Sequence, residues 1–84
     1  FLAQNYPNPF NPVTNLEFGI SEQGFVSLKI YDMLGKEVAS LVSESLNTGT
    51  YEITWLAGNA PSGIYYYTLT TAGNTVTKRM VLLK

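Results

Sequence analysis

Any chemistry in this chain would have to be built from carboxylates, cations and hydroxyls, because histidine and cysteine are both missing. Without an imidazole no side chain titrates near neutrality as a general base, and without a thiol there is neither a strong nucleophile nor a soft metal ligand. The carboxylates Glu17, Glu22, Asp32, Glu37, Glu44 and Glu52 are dispersed along the chain, whereas a glycosidase pair must converge at about 5 to 9.5 Å across a sugar. They also lack the D-x-[DN]-x-[DN]-G spacing of a calcium loop. A Ser–Lys dyad is formally available, but every serine falls on a turn or an outward strand position. The sequence therefore predicts no catalytic residue, no cofactor site and no metal.

Binding chemistry is better represented. Trp55 with the run Tyr65, Tyr66 and Tyr67 would make a flat platform for stacking sugar rings if it were exposed. The alternation of the surrounding residues argues against exposure, since Trp55, Tyr65 and Tyr67 share a face with Ile53 and Leu69, leaving only Tyr66 outside. The second feature is the closing stretch "KRMVLLK", which joins Lys78, Arg79 and Lys84 to the apolar Met80, Val81, Leu82 and Leu83. It reads either as an edge strand whose charges discourage aggregation or as a recognition tail. The five cations form no broad stripe and the net charge is −1, so nucleic acid is not an expected partner. "MVLL", the longest apolar run, is far short of the roughly 20 residues of a membrane-spanning helix, so no transmembrane segment is expected.

The elements that must position these residues are strands. "TNLEFGI" and "FVSLKIYD" alternate cleanly around "SEQG", which predicts a hairpin with Leu16, Phe18, Ile20, Val26, Leu28 and Ile30 inward. "DMLGKEV" has Asp32 and Gly35 where a type I turn closed by a left-handed glycine wants them. In "EVASLVSESL" the period slips, because Val38, Leu41 and Val42 cannot share one strand face; a bulge or a crossing between sheets would reconcile them. "NTGTYEITW", "GIYYYTLTT" and "TVTKRMVLLK" complete the set, separated by the loop "AGNAPSG" and the turn "AGN". Six or seven short strands, with about seven as the working number, and no amphipathic helix predict an all-β, immunoglobulin-like antiparallel sandwich.

Length and composition agree with this. Eighty-four residues, 45% of them apolar and 13% charged, allow one domain with one modest core, expected to span 1–84. No disulfide or Cys-based zinc site is available to staple it, so cohesion must come from strand pairing and aromatic burial. The opening "NYPNPFNP" is a strap within residues 1–13: its prolines forbid a helix and hold the preceding residues extended. Tyr6 and Phe10 are expected to dock together on the sandwich as two aromatic anchors. Because the chain starts at Phe1 with neither an initiator Met nor a signal pattern, it is expected to be part of a longer protein.

Five stretches occur in an order that is informative together: "LAQNYPNPFNPVT", "IYDMLGKEV", "GTYEITW", "APSGIYYYTL" and "TKRMVLLK". Together they resemble the type A C-terminal sorting domain of the type IX (Por) secretion system, and the chain is also similar to the immunoglobulin-like domain of flagellar hook-capping proteins. The positions that match the family pattern are Tyr6, Pro7, Asn8, Pro9 and Phe10 in the strap, Asp32 and Gly35 in the turn, Gly63, Tyr65 and Tyr67 in the aromatic strand, and the tail Lys78 to Lys84. The resemblance implies a non-catalytic address label on a larger cargo protein, the cargo lying N-terminal in the same chain. It implies partners in the outer-membrane secretion machinery: a shuttle protein, the translocon and a sortase-like peptidase. The cargo would pass through the periplasm of a Gram-negative bacterium to be secreted or held at the cell surface. A carbohydrate-binding or structural module is the competing expectation.

Overall fold

The computed structural model describes residues 1–84, and its six strands follow the alternating stretches of the sequence. They are β1 (Val13–Ile20), β2 (Gly24–Tyr31), β3 (Glu37–Leu46), β4 (Gly49–Leu56), β5 (Gly63–Thr71) and β6 (Asn74–Leu82). β1 pairs with β4 in one antiparallel sheet, and the other has the order β3-β2-β5-β6, also antiparallel, so the hairpin expected of β1 and β2 does not form: the "SEQG" turn carries the chain from one sheet to the other. The inward residues Leu16, Phe18, Val26, Leu28, Ile30, Tyr67, Met80 and Leu82 have essentially no exposed surface and fill the space between the sheets. Trp55 packs against Phe10 and Tyr65, each with ring centroids 5.7 Å away, and Phe18 stacks on Tyr51 at 5.5 Å. These tilted and offset aromatic pairs add to the burial of large rings, which in a chain without disulfides is the main source of cohesion.

The slipped period of β3 is resolved by bulges. Leu28 stands opposite Val42 and Lys29 opposite Ser40, so Leu41 is extra; Ile30 faces Ala39 and Tyr31 faces Glu37, so Val38 is extra too. Two added residues change the parity of the strand twice, and β3 stays in one sheet without crossing. The turn before it is built by Asp32, whose Oδ1 accepts the N–H of Leu34 at 2.9 Å and of Lys36 at 3.0 Å. Gly35 occupies φ 84°, a conformation a side chain would strain.

Six strands form where about seven were expected, and the strap that precedes them pairs only through single bridges. Residues 1–6 run antiparallel along the outer edge of β1: Ala3 N–H donates to Glu17 O, and Tyr6 and Asn15 exchange N–H to O bonds at 3.0 and 2.9 Å. The strap then changes sheets. Phe10 N–H donates to Val81 O and Leu83 N–H donates to Phe10 O, both at 3.0 Å, in a parallel bridge to β6. All three X–Pro bonds of the strap are cis. At Val13 it becomes β1.

One expectation about the strap is corrected. Phe10 is 2% exposed and belongs to the core, but Tyr6 is 78% exposed and anchors nothing. The reason is that Tyr6 is held by its backbone alongside Asn15, which sends its ring outward. The second apolar anchor is Leu2, buried beside Phe18.

Candidate recognition surface

The tail residues divide according to the parity of β6. Met80 and Leu82, expected in the apolar part of a recognition surface, are wholly buried in the core. Only Val81, half-buried, and Leu83, 54% exposed, offer apolar surface at the end of the chain. Lys78 shares the inner face with Met80 and is half-buried opposite Tyr67, while Arg79 projects from the outer face beside Tyr66, which in turn adjoins Tyr31. Lys84 lies at the pole of the sandwich, its N–H bonded to Ser62 Oγ at 2.9 Å and its Nζ to Gly58 O at 2.9 Å. The fold thus spreads the three cations over two faces and one pole. The one ion pair, Lys29 to Glu37 at 3.2 Å, lies elsewhere, so all three remain without a carboxylate partner.

From Arg79 on, the backbone edge of this strand is already occupied. Neighbouring residues of a strand aim their N–H and C=O at opposite sides, and on β6 the odd residues aim away from β5. Arg79 O accepts Gln4 Nε2 at 2.8 Å, Val81 N–H donates to Asn8 Oδ1 at 3.0 Å, and Val81 O and Leu83 N–H are taken by Phe10. Strand addition to residues 79–83 therefore requires the strap to leave.

What holds the strap is a buried polar network that sequence reasoning missed. Asn5 is 2% exposed and Thr14 not at all. Asn5 Nδ2 donates to Thr14 Oγ1 at 3.0 Å and to Pro7 O at 3.1 Å, and the Thr14 hydroxyl donates to Pro7 O at 2.9 Å. Asn5 N–H donates to Tyr67 Oη at 2.9 Å, and the Tyr67 hydroxyl donates to Ala3 O at 2.8 Å. No buried side-chain polar atom is left without a partner, the condition under which such a network stabilises. A signal existed: Thr14 stands in phase with Leu16 and Phe18, and a polar residue on an apolar face demands a partner.

Burial raises the Tyr67 hydroxyl above the ordinary tyrosine range, opposed by the hydrogen bond from Asn5 N–H. Tyr65 is raised as well, first by burial and then by the Asp32 charge. A group that ionises less readily when folded stabilises the fold fully below its unfolded pKa, and that contribution is lost as pH rises through the folded value. Stability is therefore expected to fall above about pH 10. Tyr67→Phe should destabilise by about 1–3 kcal/mol at neutral pH, since it leaves Asn5 N–H buried and unpaired, and should flatten the alkaline decline. Urea melts from pH 7 to 11 measure both; an identical alkaline slope in the variant would assign the decline to other groups.

The other motif positions are structural in this fold. Asn8 and Phe10 tie the strap to β6, Pro7 gives its carbonyl to the polar network, and Asp32 and Gly35 build the turn. Pro9 sits exposed between them. Gly63 opens β5 at φ 153°, where a side chain is rarely tolerated. Tyr65 donates its hydroxyl to Pro61 O at 2.6 Å. Trp55, Tyr65 and Tyr67 are core residues, as their alternation predicted, so the sugar-stacking platform they would have formed is not on the surface.

The family model for the secretion system C-terminal sorting domain matches residues 4–83, from the strap through the last residues of the tail. The chain belongs to this family. A comparison with curated proteins finds no match. The sorting domain is all-β, and the matched range takes in the strap and the strand it clasps, so the two are parts of one family unit. As a type IX sorting domain it serves a secreted or cell-surface cargo protein.

Proposed function

We propose that this domain is a non-catalytic address label that directs a cargo, N-terminal to it in the same chain, across the outer membrane by type IX secretion. The family match over 4–83 carries this reading. In it, a shuttle protein and the translocon recognise the folded sandwich, a sortase-like peptidase then removes it, and the cargo is released or retained at the cell surface. The unpaired charges of Lys78, Arg79 and Lys84, the half-buried Val81 and the exposed Leu83 are the recognition contacts, with Met80 and Leu82 setting the strand that presents them. Charged residues set where a partner can approach and steer its encounter without needing a catalytic group.

The test is a reporter fused upstream of Phe1 and expressed in a bacterium that secretes by this route. The parent domain should export the reporter. Arg79→Glu with Lys84→Glu reverses two surface charges without touching the core and should lower export at least several-fold while leaving the unfolding free energy within about 0.5 kcal/mol of the parent. Full export by the charge-reversed domain would remove these cations from the recognition surface. No export by the parent would remove the sorting role itself.

A further inference from the structure

The strap protects one flank of the sandwich and leaves the other open. Asn15, Glu17 and Gly19 direct their backbone groups to the strap, so Thr14, Leu16, Phe18 and Ile20 direct theirs to β4, where Trp55, Ile53, Tyr51 and Gly49 stand opposite. The remaining residues of β4, Thr50, Glu52, Thr54 and Leu56, therefore aim N–H and C=O groups at solvent along an edge that pairs with nothing. Proteins usually blunt such an edge with a bulge, a proline, a lysine or a cover. β3 has its two bulges and β6 has the strap over its last residues, from Arg79 on. β4 has an unbroken eight-residue register and neither proline nor lysine.

Two further observations specify what this edge would take. A cleft of about 620 Å³ opens between the sheets at the end of β4, walled by Val38, Trp55, Leu56, Pro61 and Tyr65. Glu52 stands directly opposite Glu17, both exposed and neither in an ion pair, and like charges so placed repel. A second copy of the chain would bring further acid to this row, whereas a basic residue would relieve it. We infer that the free edge of β4 docks an extended segment of a partner protein by strand addition, with a lysine or arginine set against Glu17 and Glu52 and an apolar side chain in the adjoining cleft.

This inference stands apart from the secretion reading, because it is tested on the purified chain. The probe is a blocked synthetic peptide of about eight residues, alternating valine and threonine, with one central lysine and a terminal leucine. Its binding should protect the amides of Thr50, Glu52, Thr54 and Leu56 from hydrogen exchange. Glu52→Lys should weaken this peptide about tenfold and strengthen its glutamate counterpart. Thr54→Pro removes an outward N–H without removing a bond to β1 and should abolish binding of both peptides. If that variant unfolds, the charge exchange at Glu52 still decides. The inference is overturned if the peptide does not bind, if protection falls on β3 or β6, or if charge exchange at Glu52 changes nothing. A peptide-free dimer protecting the same amides would overturn it in favour of a second copy.

Discussion

Phe10→Ala is expected to destabilise the domain by about 3–5 kcal/mol, the range for removing a buried phenylalanine and leaving a cavity. Phe10 is 2% exposed, packs on Trp55 at 5.7 Å, and is the point where the strap reaches the second sheet. Loss of the ring removes the apolar reason for the strap to lie on β6. The amide of Leu83, which donates to Phe10 O, should then lose protection from exchange earlier than amides inside β2 or β5. Tyr6→Ala, four residues away in the same motif, should change stability by no more than about 0.5 kcal/mol, because its ring is in solvent. Urea denaturation of the two variants separates them. Equal losses would mean that the strap is held by both rings, and no loss in either would mean that it is a free tether.

Removing residues 79–84 is expected to unfold the domain outright. The deletion takes away Met80 and Leu82, both with no exposed surface, and large-to-alanine changes at such sites already cost about 2–5 kcal/mol each. It also removes the acceptor for Gln4 and the partners of Asn8 and Phe10. Small domains have about 5–15 kcal/mol in total, so the combined loss meets or exceeds what is available. Circular dichroism and a thermal melt should show no cooperative transition. A folded truncated domain would show that β6 is dispensable beyond Lys78. The expectation bears on secretion experiments too: a truncated tail that fails to export reports lost folding as readily as lost recognition, which is why charge reversal on an intact fold is the cleaner variant.

The sandwich was legible because its strands are half-buried and alternate. Leu16, Phe18 and Ile20, then Val26, Leu28 and Ile30, point inward as their spacing predicts, and so do Trp55, Tyr65 and Tyr67. The bulges were legible as a parity conflict at Val38, Leu41 and Val42, although their number was not. Periodicity was less informative at the two ends of the chain. In the strap, pairing is limited to single bridges, so no alternation records which side chains turn inward; Tyr6 and Phe10 look equivalent in sequence and differ completely in burial. In the tail, charge and hydrophobicity mark a distinctive stretch, but only the parity set by β5 separates buried Met80 and Leu82 from exposed Arg79 and Leu83. The Asn5, Thr14 and Tyr67 network joins positions far apart in sequence, and nothing local announces it beyond one polar residue on an apolar face.

The clasp between strap and final strand also orders events in time. The Gln4 to Arg79 and Asn8 to Val81 bonds join positions 75 and 73 residues apart, so the domain's opening segment waits for its final strand. Contacts of such long sequence separation form late and fold slowly. A nascent chain cannot close its flank until residues 79–83 have left the ribosome, and a chain without them never can. The domain thereby couples closure of this flank to the arrival of its own last strand, and a chain lacking residues 79–83 presents an unclasped edge.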